Sequence, residues 1–119
     1  MAERDASYVM DMLTAARALV TMVTGRTRPD LDEDVQLQSA VYWQICVLGE
    51  AANHLSNSFR EEHPEMPWHE IVGMRNRLIH GYRDIHNDTL WAVLQTRLPA
   101  LVTFLSRLMR SEADDAHPS

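Results

Sequence analysis

Lysine is absent from this sequence of 119 residues, and cysteine occurs once, as Cys46. A single cysteine cannot form an internal disulfide bond or a thiolate metal cluster, so we expect a reducing, cytoplasmic environment. Long apolar runs are also missing: residues 40–49 form the longest nearly apolar stretch, and the acidic N-terminus has no apolar leader. Because a bilayer-spanning helix needs about 20 apolar residues, we expect neither a membrane span nor a signal peptide.

Positive charge is scarce relative to negative charge. The 11 basic residues, all arginine, face 17 Asp and Glu residues, for a net charge of −6 with histidine neutral. The molecule as a whole therefore repels polyanions, and a nucleic acid would have to bind a local basic patch. Arginine suits the binding of phosphate, although codon usage is the simpler explanation for the absence of lysine.

Apolar residues recur at steps of three and four, and no segment alternates with a period of two. This pattern is typical of amphipathic helices. A chain of 119 residues with 45% hydrophobic residues is typical of one globular domain. Four helices are predicted, over residues 7–24, 31–58, 67–81 and 88–108.

Residues at the ends of these segments mark the helix boundaries. Gly25 ends the first helix, and Asp30 with Glu33 resembles a capping pair at the start of the second. Pro67 suits a first helical position. Pro99 falls inside the last helix and is predicted to kink it, because its ring clashes with a backbone carbonyl and it lacks an N–H.

The predicted fold class is all-α: an antiparallel bundle of four main helices with short links, in one domain formed by residues 1–110. Trp43, Trp68 and Trp91 fall at helical or helix-start positions, and we expect them to pack in the core. Residues 111–119 are acidic and small with no apolar face, so they are predicted to be a disordered tail.

A local patch of positive charge lies in the third predicted helix. Residues 71–83 contain Arg75, Arg77, Arg83 and His80 but no acidic residue. RNA needs a patch of this sign, but arginines near the C-terminal end of a helix also interact favourably with the helix dipole. Charge alone therefore does not distinguish an RNA-binding patch from a helix end. The order of residue types is more specific, because Arg75, His80 and Tyr82 form an R-x-x-x-x-H-x-Y pattern.

This pattern and its surroundings resemble the HEPN superfamily, and specifically the HepT-like toxins of prokaryotic toxin–antitoxin pairs. The resemblance runs from the first helix to about residue 109, and the three motif residues match without departure. It rests on the following blocks in this order: Gly49-Glu50-Ala51-Ala52, Leu55-Ser56, Pro67-Trp68, Gly73-Met74-Arg75-Asn76, His80 with Tyr82, Trp91, and Leu98-Pro99.

The resemblance implies a helical-bundle ribonuclease that acts as a homodimer without a metal or other cofactor. It implies that Arg75 and His80 are catalytic and that Asn76 and Arg77 help to position the RNA substrate. It also implies that a cognate minimal nucleotidyltransferase antitoxin silences the protein by AMPylation of Tyr82. The residue types suit this chemistry, because histidine transfers protons near neutral pH and an arginine fork binds two phosphate oxygens.

The spacing of the motif raises a geometric question. Five residues of an ideal helix rotate by about 500°, so Arg75 and His80 would point roughly 140° apart. Either the helix ends or distorts before His80, which Gly81 permits, or a two-fold partner brings a second copy of the motif across a shared cleft. The resemblance favours the dimer.

The polar residues of the second predicted helix and the remaining histidines lie outside the motif. Glu50, Asn53 and Asn57 would form a polar strip on the second helix that either lines the dimer interface or is its solvated face. The remaining histidines lack the spacing of a zinc site, so we do not expect a metal enzyme. These histidines are His54, His63, His69 and His86.

A second function class stays open beside the ribonuclease. In it, the chain is a non-catalytic helical binding module, and its motif only docks a nucleotidyltransferase partner, with Tyr82 as the docking or modified residue. Tyr82 could also simply be packed, with its hydroxyl bonded to a neighbouring helix. Growth arrest on expression of the chain alone would support only the ribonuclease.

Overall fold

The computed structural model describes residues 1–80 and 87–116, and within these ranges the chain folds into helices without strands. The predicted all-α fold class is confirmed. The helices in chain order are α1 (Glu3–Val23), α2 (Arg28–Glu33), α3 (Val35–His54), α4 (Asn57–Glu62), α5 (Trp68–His80), α6 (Asn87–Thr96) and α7 (Leu98–Ala116). Four of them are long, namely α1, α3, α5 and α7, and they form the bundle.

Helix α1 lies at the centre of the bundle, between α3 and α7, while α5 packs on α3. Val9, Met12 and Leu19 of α1 are completely buried. Within the described residues, α1 is the one helix that is long and apolar enough to cross a membrane by length and composition. The longest nearly apolar run of the sequence, residues 40–49, lies in α3 and does not point to α1. The buried residues account for this apolar character, because α1 is the core helix of the bundle.

Contacts between helix ends show that α1 and α3 run antiparallel. Tyr8, near the start of α1, stacks on His54 at the end of α3, with ring centroids 5.1 Å apart. The buried carboxylate of Asp5 accepts hydrogen bonds from the backbone N–H of Ser56 (2.8 Å) and from its hydroxyl (2.7 Å). The antiparallel arrangement predicted for these two helices is therefore observed.

The prediction of a single long helix over residues 31–58 is wrong, because the helix is interrupted twice in this range. At the first break, the Asp34 carboxylate accepts a hydrogen bond from the backbone N–H of Leu37 (3.1 Å) and caps α3. Helix α2, which precedes this break, starts at a capping box. In this box Asp30 pairs with Thr27 and not with Glu33. Polar side chains at helix starts satisfy backbone donors that have no helical partner, so such a break costs little.

The second break separates α3 from α4. Leu55 has extended backbone angles, and Ser56 caps α4 by accepting a hydrogen bond from Phe59 N–H at 3.2 Å. Asp5 holds Ser56 in this position from the opposite helix. Asn57 therefore belongs to α4, and the polar strip expected along one helix ends at Asn53.

The last predicted helix, expected to be kinked at Pro99, is instead two helices that separate at Arg97. Helix α6 ends at Thr96 and α7 begins at Leu98, so Pro99 lies in the first turn of α7, where its missing N–H is tolerated. We expected disorder from Ser111, but α7 continues to Ala116. Residues 117–119 lie outside the described ranges.

The three tryptophans differ in burial. Trp68 is buried, and its indole N–H donates to the His63 carbonyl oxygen at 2.8 Å. Trp91 is half-buried and packs against the core. Trp43 contradicts the expectation of core packing, because 67% of it is exposed on α3.

Candidate active site

The candidate site forms where α3 and α5 approach most closely, at Gly49. Gly49 is buried, and a Cβ atom built on it would overlap the Cβ of Arg75 and lie 3.2 Å from the carbonyl oxygen of Ile71. Only a residue without a side chain fits between these helices. The stem of Arg75 is therefore held against the backbone of α3.

The guanidinium group of Arg75 makes two contacts at this junction. One terminal nitrogen, Nη2, donates to Oε2 of Glu50 at 2.6 Å, and the other, Nη1, donates to Oδ1 of Asn76 at 2.8 Å. Its Nε is buried and finds no hydrogen-bond partner among the described residues. The Arg75 side chain is 22% exposed, so it is a fixed cation that solvent and ligands can still reach.

A shallow depression of about 290 Å³ lies beside Arg75, between α1, α3 and α5. Its apolar lining includes Trp43, Val47 and Ile79, and Ile79 is 45% exposed. Cys46 also lines it, and burial raises the pKa of the Cys46 thiol although the charge of Arg75 opposes this rise. The positive charge of Arg75 thus stands next to an exposed apolar surface.

A chain of polar contacts continues from Glu50 toward α1. Its second carboxylate oxygen, Oε1, lies 3.4 Å from Nδ1 of His54, and the same ring nitrogen lies 2.8 Å from the Glu50 carbonyl oxygen. His54 stacks on Tyr8, over which the guanidinium of Arg4 sits at 5.8 Å. Glu50 is 48% exposed, so its carboxylate sits on the solvent side of these contacts.

The residues predicted for the site are only partly brought together. Asn76 contacts Arg75, whereas Arg77 and His80 are exposed at other positions around α5. Tyr82 lies outside the described residues, as do Gly81 and Arg83. Helix α5 is unbroken from Trp68 to His80, so the distortion considered for one chain does not occur. On an ideal helix, the five-residue spacing separates Arg75 and His80 by roughly 140° around the axis.

A second polar network anchors the start of α6, the first described element after the motif. The hydroxyl of Tyr42 donates to Oδ1 of Asn87 at 2.5 Å, and Nδ2 of Asn87 donates to Asp32 at 2.6 Å. Hydrogen bonds from Asn87 and from Arg28 hold the pKa of Asp32 below its usual value, while burial raises the pKa of Tyr42. This network ties α6 to α2 and α3.

Sequence reasoning missed two features of the site. The first is the packing of Gly49 against Arg75, although a glycine inside a helix costs about 1 kcal/mol relative to alanine and so signals a close approach. The second is the pairing of Glu50 with Arg75, which are 25 residues apart in the chain. No local pattern predicts such a contact.

Comparison with known proteins identifies the family. The family model described as Ribonuclease HepT-like matches residues 12–108, which include Gly49, Arg75 and His80. The chain belongs to the HepT-like ribonuclease family. The resemblance to HepT-like members of the HEPN superfamily is therefore confirmed, and the helical bundle is the HepT-like fold.

Curated HepT-like relatives agree with this assignment. A protein named "Putative RNase" from Caldanaerobacter subterraneus subsp. tengcongensis is 30% identical over 88% of this chain and 94% of its own length. Another of the same name, from Methanocaldococcus jannaschii, is 30% identical over 85% and 94% of the two chains. One named "Probable ribonuclease HepT", from Thermococcus cleftensis, is 37% identical over 57% and 62%. No solved structure matches the chain.

A metal-binding group needs several His, Cys, Asp or Glu side chains close together. Among residues 1–80 and 87–116, no three His, Cys, Asp or Glu side chains form such a group. The guanidinium of Arg75 is a partly exposed cation at the candidate site.

Proposed function

We propose that this protein is a metal-independent endoribonuclease toxin in which Arg75 binds the scissile phosphate and His80 transfers a proton. The observation that carries the proposal is the partly exposed side chain of Arg75, whose stem is held against Gly49, in a chain of the HepT-like ribonuclease family. The cellular site that we propose is the cytoplasm, where RNA is available and Cys46 stays reduced.

The proposed reaction needs a fixed cation and a proton carrier. The 2′-hydroxyl of one nucleotide attacks the neighbouring phosphorus and loses its proton, while the bond to the 5′-oxygen of the next nucleotide breaks and that oxygen gains a proton. The products are a 2′,3′-cyclic phosphate and a 5′-hydroxyl. Arg75 stabilises the charge that builds on the phosphoryl oxygens, and His80 carries out one of the proton transfers.

Asn76 and Arg77 are proposed to position the RNA around this centre. Asn76 already contacts the guanidinium of Arg75 through its Oδ1 atom, so its amide group borders the phosphate site. Arg77 is exposed on α5 and faces a different direction, where it can reach a neighbouring phosphate of the backbone.

Cleavage is expected to continue in excess EDTA, because Arg75 supplies the positive charge that a metal ion provides in other nucleases. The measurement is an assay of the purified protein on transfer, ribosomal and messenger RNA, with and without the chelator. Intact RNA in every reaction would contradict the proposed activity. Activity lost to EDTA and restored by Mg²⁺ or Mn²⁺ would instead contradict metal independence alone.

The active form is proposed to be a homodimer. Arg75 and His80 diverge on a continuous α5, so one chain does not direct both toward one phosphate. A two-fold partner would place a second α5 opposite the first and complete the site. The apolar surface formed by the exposed Trp43 and Ile79 with the partly buried Val47, here called the Trp43 patch, lies beside Arg75 and suits such a contact.

Trp43→Glu is expected to convert the dimer into a monomer, because it places a charge in the Trp43 patch. Light scattering at micromolar concentration measures the mass of the protein in solution. RNA cleavage should fall as the dimer is lost. Val20→Glu is the matched control: Val20 is 36% exposed on α1 and lies outside the patch, so this variant should stay dimeric. A wild-type protein that is monomeric at this concentration and still cleaves RNA would refute the proposal.

A minimal nucleotidyltransferase antitoxin is the proposed partner, and Tyr82 is its proposed target. The support is the family and the sequence position of Tyr82, two residues after His80. Each adenylate would add a negatively charged phosphate and a bulky nucleoside near arginines that hold RNA. The modification would therefore compete with the substrate for Arg75.

Co-expression with the cognate nucleotidyltransferase is expected to place adenylate on Tyr82 and abolish cleavage. Intact mass and peptide mapping locate the modification, and Tyr82→Phe is expected to escape both the modification and the silencing. Adenylate on another residue, or a Tyr82→Phe variant that is still silenced covalently, would place the switch elsewhere.

A further inference from the structure

The guanidinium of Arg75 is already occupied by a carboxylate. Glu50 accepts a hydrogen bond from Nη2 at 2.6 Å, and Asn76 accepts one from Nη1 at 2.8 Å. Two oxygen atoms thus sit on the two terminal nitrogens of the fork. A phosphate that binds an arginine fork places two oxygens in the same way.

Glu50 is able to leave this position without disturbing the core. Its side chain is 48% exposed, whereas the Arg75 side chain is 22% exposed. The Glu50 carboxylate can rotate into solvent while the stem of Arg75 stays against Gly49 of α3. Ion pairs with this exposure contribute little to stability, so a phosphate group can displace the carboxylate.

We propose that Glu50 is an internal substitute for phosphate, which an RNA phosphate must displace from Arg75. The inference rests on the proposed role of Arg75 in the ribonuclease. Glu50 then sets the affinity of the site: it lowers the occupancy by single anions and favours a polyanion whose neighbouring phosphates also bind nearby arginines. Its carboxylate also keeps the exposed cation neutralised when no RNA is bound.

A purely structural role predicts a different response. If Glu50 only orients Arg75, its removal lowers phosphate affinity because the fork loses its support. Glu50→Gln separates the two roles, since the amide oxygen of Gln still accepts a hydrogen bond from Nη2 but carries no charge. Displacement predicts tighter phosphate binding in this variant, and orientation predicts equal or weaker binding.

The test uses two probes with the full-length protein. Inorganic phosphate is titrated while the NMR signal of the Arg75 Nε–H is followed, and a 2′-O-methyl RNA oligonucleotide, which lacks the attacking hydroxyl, is titrated by fluorescence anisotropy. Glu50→Gln is expected to bind both probes about three- to ten-fold more tightly than the wild type. Glu61→Gln makes the same charge change at an exposed position on α4 and should leave both affinities nearly unchanged.

Two further results decide the inference. The gain in RNA affinity, measured by anisotropy, should disappear when Arg75→Ala is added to Glu50→Gln, because the gain acts through the fork. Equal or weaker binding by Glu50→Gln, or an equal gain in Glu61→Gln, would overturn the proposal. Cleavage by the wild type is measured in parallel. If the wild type cleaves RNA but Glu50→Gln shows no gain in affinity, the proposed role of Glu50 is wrong and the ribonuclease activity stands. If Glu50→Gln shows the gain but the wild type does not cleave RNA, the ribonuclease activity is wrong and the role of Glu50 at a phosphate site stands.

Discussion

Arg75→Ala is expected to lower RNA cleavage by about 10²–10³-fold, the usual effect of removing a group that stabilises transition-state charge. His80→Ala is expected to lower it by about 10²–10⁴-fold, the range for a general acid or base. Both variants should fold, because His80 is exposed and Arg75 forms a partly exposed ion pair worth at most about 1 kcal/mol. The measurements are single-turnover cleavage rates, circular dichroism and thermal unfolding.

Arg97→Ala is the matched control for the charge that Arg75→Ala removes. Arg97 is 60% exposed between α6 and α7 and lies 3.7 Å from Glu70, far from the motif in sequence. Its removal lowers the positive charge of the protein equally, so cleavage should change less than about three-fold. If a folded Arg75→Ala or His80→Ala variant cleaves RNA as the wild type does, the catalytic assignment is wrong.

Gly49→Ala is expected to destabilise the protein by about 1–3 kcal/mol, the cost of overpacking. The new methyl group would overlap the Cβ of Arg75 and press on the carbonyl oxygen of Ile71, which is backbone and cannot move aside alone. Helices α3 and α5 must separate, which shifts Arg75. A displacement of about 1 Å at a site can cost up to about 10²-fold in rate, so cleavage should fall too.

Gly73→Ala makes the same chemical change on α5, and there a Cβ meets nothing within 4 Å. It should stabilise the protein by about 0.5–1 kcal/mol, because alanine is the better helix former. Thermal or urea unfolding measures both variants. If Gly49→Ala stabilises the protein as much as Gly73→Ala does, the close contact of α3 and α5 is not required.

The helical pattern in the sequence predicted the bundle well but its interruptions poorly. The periodic apolar residues of α1 and α5 place these helices correctly, because burial on one face imposes the spacing. The breaks at Asp34 and at Leu55-Ser56 leave the apolar periodicity almost unchanged, so the pattern extends across them. Ser56 is additionally held by Asp5, a contact between distant parts of the chain that no local pattern encodes.

The candidate site shows the same division. The motif singles out Arg75 and His80 as candidates, since residue types at fixed spacing are a property of the sequence. The burial of Gly49 under Arg75, the pairing with Glu50 and the exposure of Trp43 depend on how α3 meets α5. Trp43 was expected in the core because a helical position alone does not reveal whether the side chain faces the core or solvent.

The most direct test of the shared site mixes two inactive proteins. Arg75→Ala and His80→Ala are combined in equal amounts, allowed to exchange subunits, and assayed for RNA cleavage. If each site takes Arg75 from one subunit and His80 from its partner, one of the two sites in a mixed dimer is intact. About half of the dimers are mixed after exchange, so about a quarter of the wild-type activity should return. If the mixture stays as inactive as its components while exchange is demonstrated, the two residues do not act across a dimer.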